Sequence, residues 1–320
     1  MSRLVLRTAQ RTKDEVKEAI GVLNEQFNAY DSIGALVADT DFVYKAGTLI
    51  RQLAVDKFMG SDPTDLLLNR ITGASLGDWI EFEEFVNTAK VVERSLGGKP
   101  RVFTPHKNVY SITPTDWRLD FGFELEKVAT GQIDVGVWVD QMAEAVSRYY
   151  TSKVLTAVDT ACATGVTDAY SRAVRTSVST NVDETTIDTA LRRLGDVNEN
   201  AVIMGRYYAL YPIFKLANAG DNDQTASDEL RARGAVGKFR GATIVVLRDS
   251  YNPFFSSATI PANRIYIAGA EKGGVLAETD MNAFNYSVVD PEEQHFRTGV
   301  KGRTAVLVTH PWKYHVIAIS

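Results

Sequence analysis

The chain has 320 residues, a formal net charge of −5, 45% apolar and 23% charged side chains. That is enough for a substantial buried core in one elaborated domain or two, and too acidic for a protein whose main task is to neutralise nucleic acid, which takes clustered Lys and Arg. No window approaches the roughly 20 apolar residues of a membrane span, and Met1-Ser2-Arg3-Leu4-Val5-Leu6-Arg7 lacks the apolar stretch of a secretory signal; synthesis and folding in a cytoplasm are expected. Cys162 is the only cysteine, which excludes an intrachain disulfide and a cysteine-cluster zinc site, and it reads as a small packing residue.

In chain order, Arg3, Arg7, Arg11, Lys13 and Lys17 form a small basic cluster that reads as a solvated arm, since the first 60 residues hold eight basic and eight acidic side chains. Thr12-Lys13-Asp14-Glu15 fits a capping box, and Val16, Ile20, Leu23 and Phe27 mark one face of a short helix. The stretch 39–65 is mixed. Its Phe42, Val43, Tyr44, Leu49, Ile50, Leu53 and Val55 have no obvious local partner, which suggests an extended arm, and Ser61-Asp62-Pro63-Thr64 reads as a turn or helix start.

A two-strand segment follows. Trp79-Ile80-Glu81-Phe82-Glu83-Glu84-Phe85-Val86 and Val91-Val92 run out to a tip at Gly97-Gly98, with a return through Val102-Phe103, Val109-Tyr110-Ser111-Ile112 and Trp117 to Leu125. Aromatic and β-branched residues alternate with charged ones, and paired glycines suit a hairpin turn. Pro100, Pro105 and Pro114 forbid continuous central pairing, so the hairpin is expected at an edge or projecting. Such a two-stranded unit is marginal alone in water and needs outside support.

From about 134 to 160 a helical stripe runs through Val135, Val139, Met142, Val146, Tyr149, Leu155 and Val158, mostly three or four residues apart. At the usual rise it is about 40 Å long, enough to cross a chain of this size whose radius of gyration is about 20 Å. Residues 163–183 read as a connection. Beyond it come a helix with Ile187, Leu191 and Leu194 on one side and Gly195 as its stop, a strand at Ala201-Val202-Ile203-Met204, and the aromatic run Tyr207-Tyr208-Ala209-Leu210-Tyr211-Pro212. Residues 219–233 read as a polar loop. Thr243–Leu247 and Arg264–Ala268 look like members of a central sheet, and Thr304–His310 and Tyr314–Ile319 like a terminal strand pair.

Catalytic signatures do not stand out. The sequence has no phosphate loop, dinucleotide turn, zinc-protease or nucleophile-elbow motif. Gly269-Ala270-Glu271-Lys272-Gly273-Gly274 reads as a turn. In the stretch from Asp221, Ala226 and Ala232 stand where a calcium loop needs glycine and a carboxylate. Asp290-Pro291-Glu292-Glu293-Gln294-His295 reads as a helix start or turn, and His310 and His315 make a poor metal site without a third ligand. No catalytic residue, cofactor or metal is expected.

Taken in order, these elements resemble the major capsid proteins of tailed bacteriophages, the α+β fold named after phage Hong Kong ninety-seven. The resemblance rests on the Trp79–Leu125 hairpin, the spine helix, Thr185-Thr186-Ile187-Asp188-Thr189-Ala190-Leu191-Arg192-Arg193-Leu194-Gly195 leading to Ala201–Met204, and the strands at 241–249 and 264–269. It implies an N-terminal arm (1–70), an extended loop with its flanks (71–127), a peripheral domain with the spine (128–183), an axial domain with a central sheet (184–285) and peripheral return strands (286–320). It further implies pentamers and hexamers of one chain in an icosahedral shell around double-stranded DNA, a virion capsid assembled in a bacterial cytoplasm without a membrane. A separate scaffolding protein and a portal are the implied partners, with a decoration protein as an optional addition. Candidate contacts between subunits are the tip residues Arg94, Leu96, Gly97, Gly98, Lys99 and Arg101 and the arm-helix face Val16, Ile20, Leu23 and Phe27. An encapsulin-like compartment is the alternative of the same fold; an α/β enzyme using Asp290, Glu293 and His295 is the alternative of another class.

Overall fold

The computed structural model of the chain describes residues 13–29, 39–59, 63–74, 80–86, 106–124, 127, 134–179, 182–196, 201–219, 237–247, 260–279, 285–290 and 295–320. Helix α1 (Lys13–Asn28) buries Val16, Leu23 and Phe27 and partly covers Ile20, the face marked in the sequence. The next segment departs from expectation. Thr40–Met59 is not an extended arm but a 20-residue helix, α2, followed by a 3-10 turn at Pro63–Leu66. Its buried positions Ala46, Leu49, Ile50, Leu53 and Ala54 recur at helical spacing. Two of them are alanines, so a reading that weighs only large apolar side chains loses the period. Asp39 Oδ1 accepts from Phe42 N (2.9 Å) at the helix start, and an edge contact between Phe27 and Phe42 (centroids 5.2 Å) ties α2 to α1.

Strands β1 (Asn69–Ala74), β2 (Ile80–Val86), β3 (His106–Ile112) and β4 (Thr115–Glu124) lead into the spine helix, α3 (Val135–Ala161). Asp134 caps it, accepting from Gly136 N (2.7 Å). Asn24 of α1 completes the cap: its Nδ2 donates to Asp134 Oδ1 (2.7 Å) and its Oδ1 accepts from Val135 N (3.2 Å), satisfying a donor that every helix start leaves open. One flank of α3 buries Val135, Val139, Met142, Val146, Tyr150, Val154 and Val158. The other elements are β5 (Arg175–Val178), α4 (Glu184–Gly195), β6 (Val202–Gly205), α5 (Tyr207–Ala219), β7 (Lys238–Phe239), β8 (Ala242–Val246), β9 (Arg264–Ala268), β10 (Gly274–Thr279), β11 (Asn285–Asp290), β12 (His295–Val308), a 3-10 turn (Pro311–Lys313) and β13 (Tyr314–Ile319).

The strands form three sheets. A five-stranded sheet runs β1-β10-β12-β11, with β4 also paired to β12. A six-stranded sheet has the order β5-β13-β9-β6-β8-β7, and among the described residues β2 and β3 pair only with each other. Two expectations are corrected here. Trp117 to Glu124 is not the return of the hairpin; after Thr113-Pro114 the chain turns away, and β4 pairs with β12 from Thr115↔Thr304 to Glu124↔His295. The terminal strands are not a pair either. β12 stays in the five-stranded sheet while β13 crosses to the six-stranded one between β5 and β9, so the 286–320 return is divided between the sheets.

Alternation along the six-stranded sheet distributes its side chains. Ile265 and Ile267 face α4 and α5, whereas Tyr266 and Ala268 join the larger core with α1, α2 and α3. Besides the passage from β4 through α3 to β5, two short connections link the larger sheets, from β9 to β10 and from β12 to β13. They meet closely: Gly273 O accepts from Thr309 N (2.9 Å) and His310 N (2.8 Å), and a Cβ at Gly273 would stand 2.5 Å from His310 O. Tyr314 Oη accepts from Gly273 N (2.8 Å) and donates to Leu67 O (2.6 Å).

Beside them lies a buried polar joint. Arg193 of α4, 3% exposed, donates through Nη1 to Trp312 O (3.1 Å), through Nη2 to Tyr314 O and through Nε to His315 Nδ1 (3.2 Å). Its Nη1 also lies 3.6 Å from Asp168 Oδ2. Asp168 accepts at Oδ1 from Tyr170 N and Arg172 N (both 2.9 Å) and at Oδ2 from Arg172 Nε (2.9 Å). Burial works against ionisation of Asp168, yet these bonds and the Arg172 charge hold its carboxyl below the usual range. His315 Nδ1 accepts from Arg193, so Nε2 carries the hydrogen and meets Thr176 Oγ1 (3.0 Å) on β5. Burial, then the Arg193 charge, pushes His315 down to about 3. Cys162 is fully buried at the end of α3, and burial pushes its thiol up to about 12.

The joint makes stability depend on pH. An unfolded histidine binds a proton near pH 6.5, whereas His315 in the fold does so only near 3. Between those values the unfolded chain holds the extra proton, so native stability falls as pH drops below about 6.5, by roughly 2 kcal/mol at pH 5 from this group. Chemical unfolding of the unassembled subunit at pH 7.5, 6 and 5 measures it. His315→Gln should flatten the slope, and an unchanged slope would refute the assignment. Removing side-chain volume at Leu53, 0% exposed between α2 and the core, should cost about 3 kcal/mol as Leu53→Ala. Tyr44→Ala on the exposed side of the same helix should stay within about 0.5 kcal/mol in the same assay.

Candidate assembly surface

The β2–β3 hairpin departs from the body. Its ladder runs from Ile80↔Ile112 to Val86↔His106, and among the described residues neither outer edge is paired. Pro105 precedes β3 and Pro114 follows it, so the two prolines bracket the strand that the ladder needs continuous. The stem is held at its base. Ile112 packs with Val275, Ala277 and Ala305, and Phe82 and Leu307 lie against this small cluster. Phe82 stacks on Tyr110 (6.3 Å, 25°). One polar contact reinforces it: Glu84 Oε1 accepts from His310 Nε2 (2.7 Å), and the His310 ring lies 4.5 Å from that of Trp312. The contact connects the stem to the β12–β13 turn of the joint. On the outward side Glu81, Lys107, Val109 and Ser111 are exposed, with Val109 at 52%, and Lys107 pairs with Glu83.

The candidate contact residues fall in two groups. Arg94, Leu96, Gly97, Gly98, Lys99 and Arg101 lie outside the described residues. Val16, Leu23 and Phe27 are buried against α2 and α3 of the same chain, with Ile20 packed beside them. That face is covered internally, so its role is to seat the arm helix on the spine rather than to reach a neighbour. Its helical period was right; what it packs against could not be read from α1 alone.

Other chemistry-bearing residues have structural settings. Asp290 and His295 are paired across the β11–β12 ladder, and Glu293 lies outside the described residues. Cys162 packs in the core, and its Sγ lies 3.7 Å from the Pro311 carbonyl. Arg70, largely buried, is 3.1 Å from Asp65 and 3.8 Å from the buried Glu278, with its guanidinium 5.9 Å from the Tyr150 ring centroid. Burial, followed by the Glu278 charge, raises the Tyr150 phenol. These groups pin β1 and β10 to the spine. Among the described residues no group of three or more His, Cys, Asp or Glu side chains is placed to hold a metal.

A surface that sequence inspection passed over lies on α5. Tyr207, Tyr208 and Tyr211 are all exposed on the side opposite the buried Ala209, Leu210, Ile213 and Phe214. The signal was present as an aromatic run, but without a helical assignment it had no inner and outer face.

The protein family described as "SPbeta prophage-derived putative capsid protein YonB" matches residues 87–274, more than half of the chain. No curated protein matches it significantly. Solved structures share the fold. The capsid of cyanophage P-SCSP1u has a TM-score of 0.57 at 14% identity, over 81% of this chain and 88% of that one. A chain of Gordonia phage Cozz gives 0.55 at 12%, over 80% and 86%, and the mature capsid of bacteriophage PhiM1 gives 0.54 at 13%, over 81% and 87%. A capsid family does not favour the encapsulin-like alternative. The chain belongs to the YonB capsid protein family and is a structural major capsid protein of the tailed-phage fold.

Proposed function

We propose that copies of this chain form pentamers and hexamers of an icosahedral shell that encloses double-stranded DNA, without catalysis of its own. The observation that carries this reading is the hairpin. A seven-residue ladder with both edges open among the described residues, anchored by a small apolar cluster and the Glu84–His310 contact, lacks the burial that makes a sheet stable by itself. A neighbour's surface supplies it. In this arrangement the six-stranded unit sits near the symmetry axes, the five-stranded sheet and spine form the periphery, and the hairpin tip reaches across to the adjacent subunit. A net charge of −5 suits a wall that confines DNA without binding it tightly. Assembly in the host cytoplasm, guided by a separate scaffolding protein and completed with a portal, fits the resemblance; decoration proteins are a further possible partner.

The tip supplies the test. Arg94, Lys99 and Arg101 place cations beside Gly97-Gly98, and charge reversal at an interface opposes docking far more than it disturbs a surface loop. Arg94→Glu, Lys99→Glu and Arg101→Glu combined should reduce shell yield at least tenfold, scored by sedimentation and negative-stain microscopy. The unassembled subunit should keep its circular dichroism and unfolding midpoint. Normal shells from this variant would overturn the proposed contact.

A further inference from the structure

Helix α5 has two apolar faces, and among the described residues only one is packed against a core. Ala209, Leu210, Ile213 and Phe214 are fully buried against the six-stranded sheet. An ordinary surface helix would be polar on the other side. Here it carries Tyr207, Tyr208 and Tyr211, exposed by 46%, 79% and 45%. The platform is set from beneath: the Tyr207 ring lies 5.5 Å from that of Phe214 and 6.1 Å from that of Tyr211, and Lys215 Nζ stands 4.8 Å from the Tyr211 centroid. The Tyr208 ring stacks on none of the described residues. Clustered tyrosines on a rigid helix offer a large area at little torsional cost, a composition typical of interface cores.

The complement lies on the neighbouring helix of the same layer. Arg192 projects from α4 with its side chain 84% exposed, and its nearest carboxylate, Asp188, is 4.0 Å away and already engaged by Arg240. A guanidinium in that setting stacks well on an aromatic face. Both helices cover one face of the sheet, α4 over β13 and β9, α5 over β9 and β6. Electron-rich faces and a well-exposed guanidinium thus sit at different places on one chain. Copies joined through unlike patches make a head-to-tail contact, which closes into a ring when its rotation closes.

We propose that the Tyr207–Tyr208–Tyr211 platform of one copy receives Arg192 of the next, as a contact within a ring of subunits. It rests on the shell reading above and names a surface for it. Both side chains are exposed, so their replacement leaves the subunit folded, which circular dichroism and the unfolding midpoint check. Under conditions where the parent chain assembles, Tyr208→Ala and Arg192→Ala should each reduce assembled material at least tenfold by sedimentation velocity. The double variant should be no worse than the worse single one, because both remove the same contact. Tyr208→Phe keeps the ring face and should assemble nearly as the parent does. Parent-like assembly of Tyr208→Ala overturns the contact and leaves the shell reading standing. Loss with Tyr208→Ala alone, but not with Arg192→Ala, overturns the pairing and assigns the platform to another occupant such as a scaffolding protein. A parent chain that stays monomeric overturns both.

Discussion

A guanidinium buried where α4 meets β13 and the turn before it is the constraint on which the rest of this molecule depends. Arg193 is 3% exposed, and a charge taken that far from water is strongly unfavourable unless its donors are met. They are met by the carbonyls of Trp312 and Tyr314, by His315 Nδ1 and by the nearby Asp168 carboxylate. The partners come from two stretches of the chain that are far apart in sequence. Asp168 belongs to the stretch that leaves the spine, Trp312 to the crossover between sheets, and Tyr314 and His315 to a strand inside the six-stranded sheet. Displacing any of these elements strands a buried charge, so they are bound to one another more tightly than their apolar contacts alone would require. Tyr314 extends the same linkage to Leu67 and Gly273.

The consequence is a rigid body with reaching parts. The spine, α1, α2 and both larger sheets share a core, while the hairpin touches that body through a small cluster and one carboxylate–imidazole contact. Elements with little burial open most easily, and such elements can be ordered by a partner without disturbing the rest. For a subunit that must fold before it assembles, this division is useful. The body secures the fold and the extensions remain free to find neighbours.

How much of this was legible in the sequence follows from how each element signals itself. The spine was readable because its apolar positions recur at helical spacing along a 27-residue helix without a proline to break it. α2 was missed because Ala46 and Ala54 carry part of its buried face, and small side chains hardly register as hydrophobic. The terminal strands were misread because short turns usually join paired strands, whereas Pro311–Lys313 carries the chain from one sheet to another. The hairpin was overextended past Pro114 for a related reason: alternation identifies a strand but not its partner, and β4 alternates well enough to pair anywhere.

Arg192 and Arg193 show where single-sequence reading stops. They are adjacent and chemically identical, yet one side chain is 84% exposed and the other 3%. A helix turns about 100° per residue, so neighbouring positions on α4 face opposite environments, and the inward one finds acceptors assembled from residues more than a hundred positions away. Helical phase predicts that one of the two must point inward; only the arrangement of β13 and the Asp168 loop makes that tolerable for a cation. The same phase leaves Arg192 outside, on the layer that also carries the open tyrosine face of α5. Burial of one arginine orients the helix that presents the other, which connects the stability of the body to the surface it offers a neighbour.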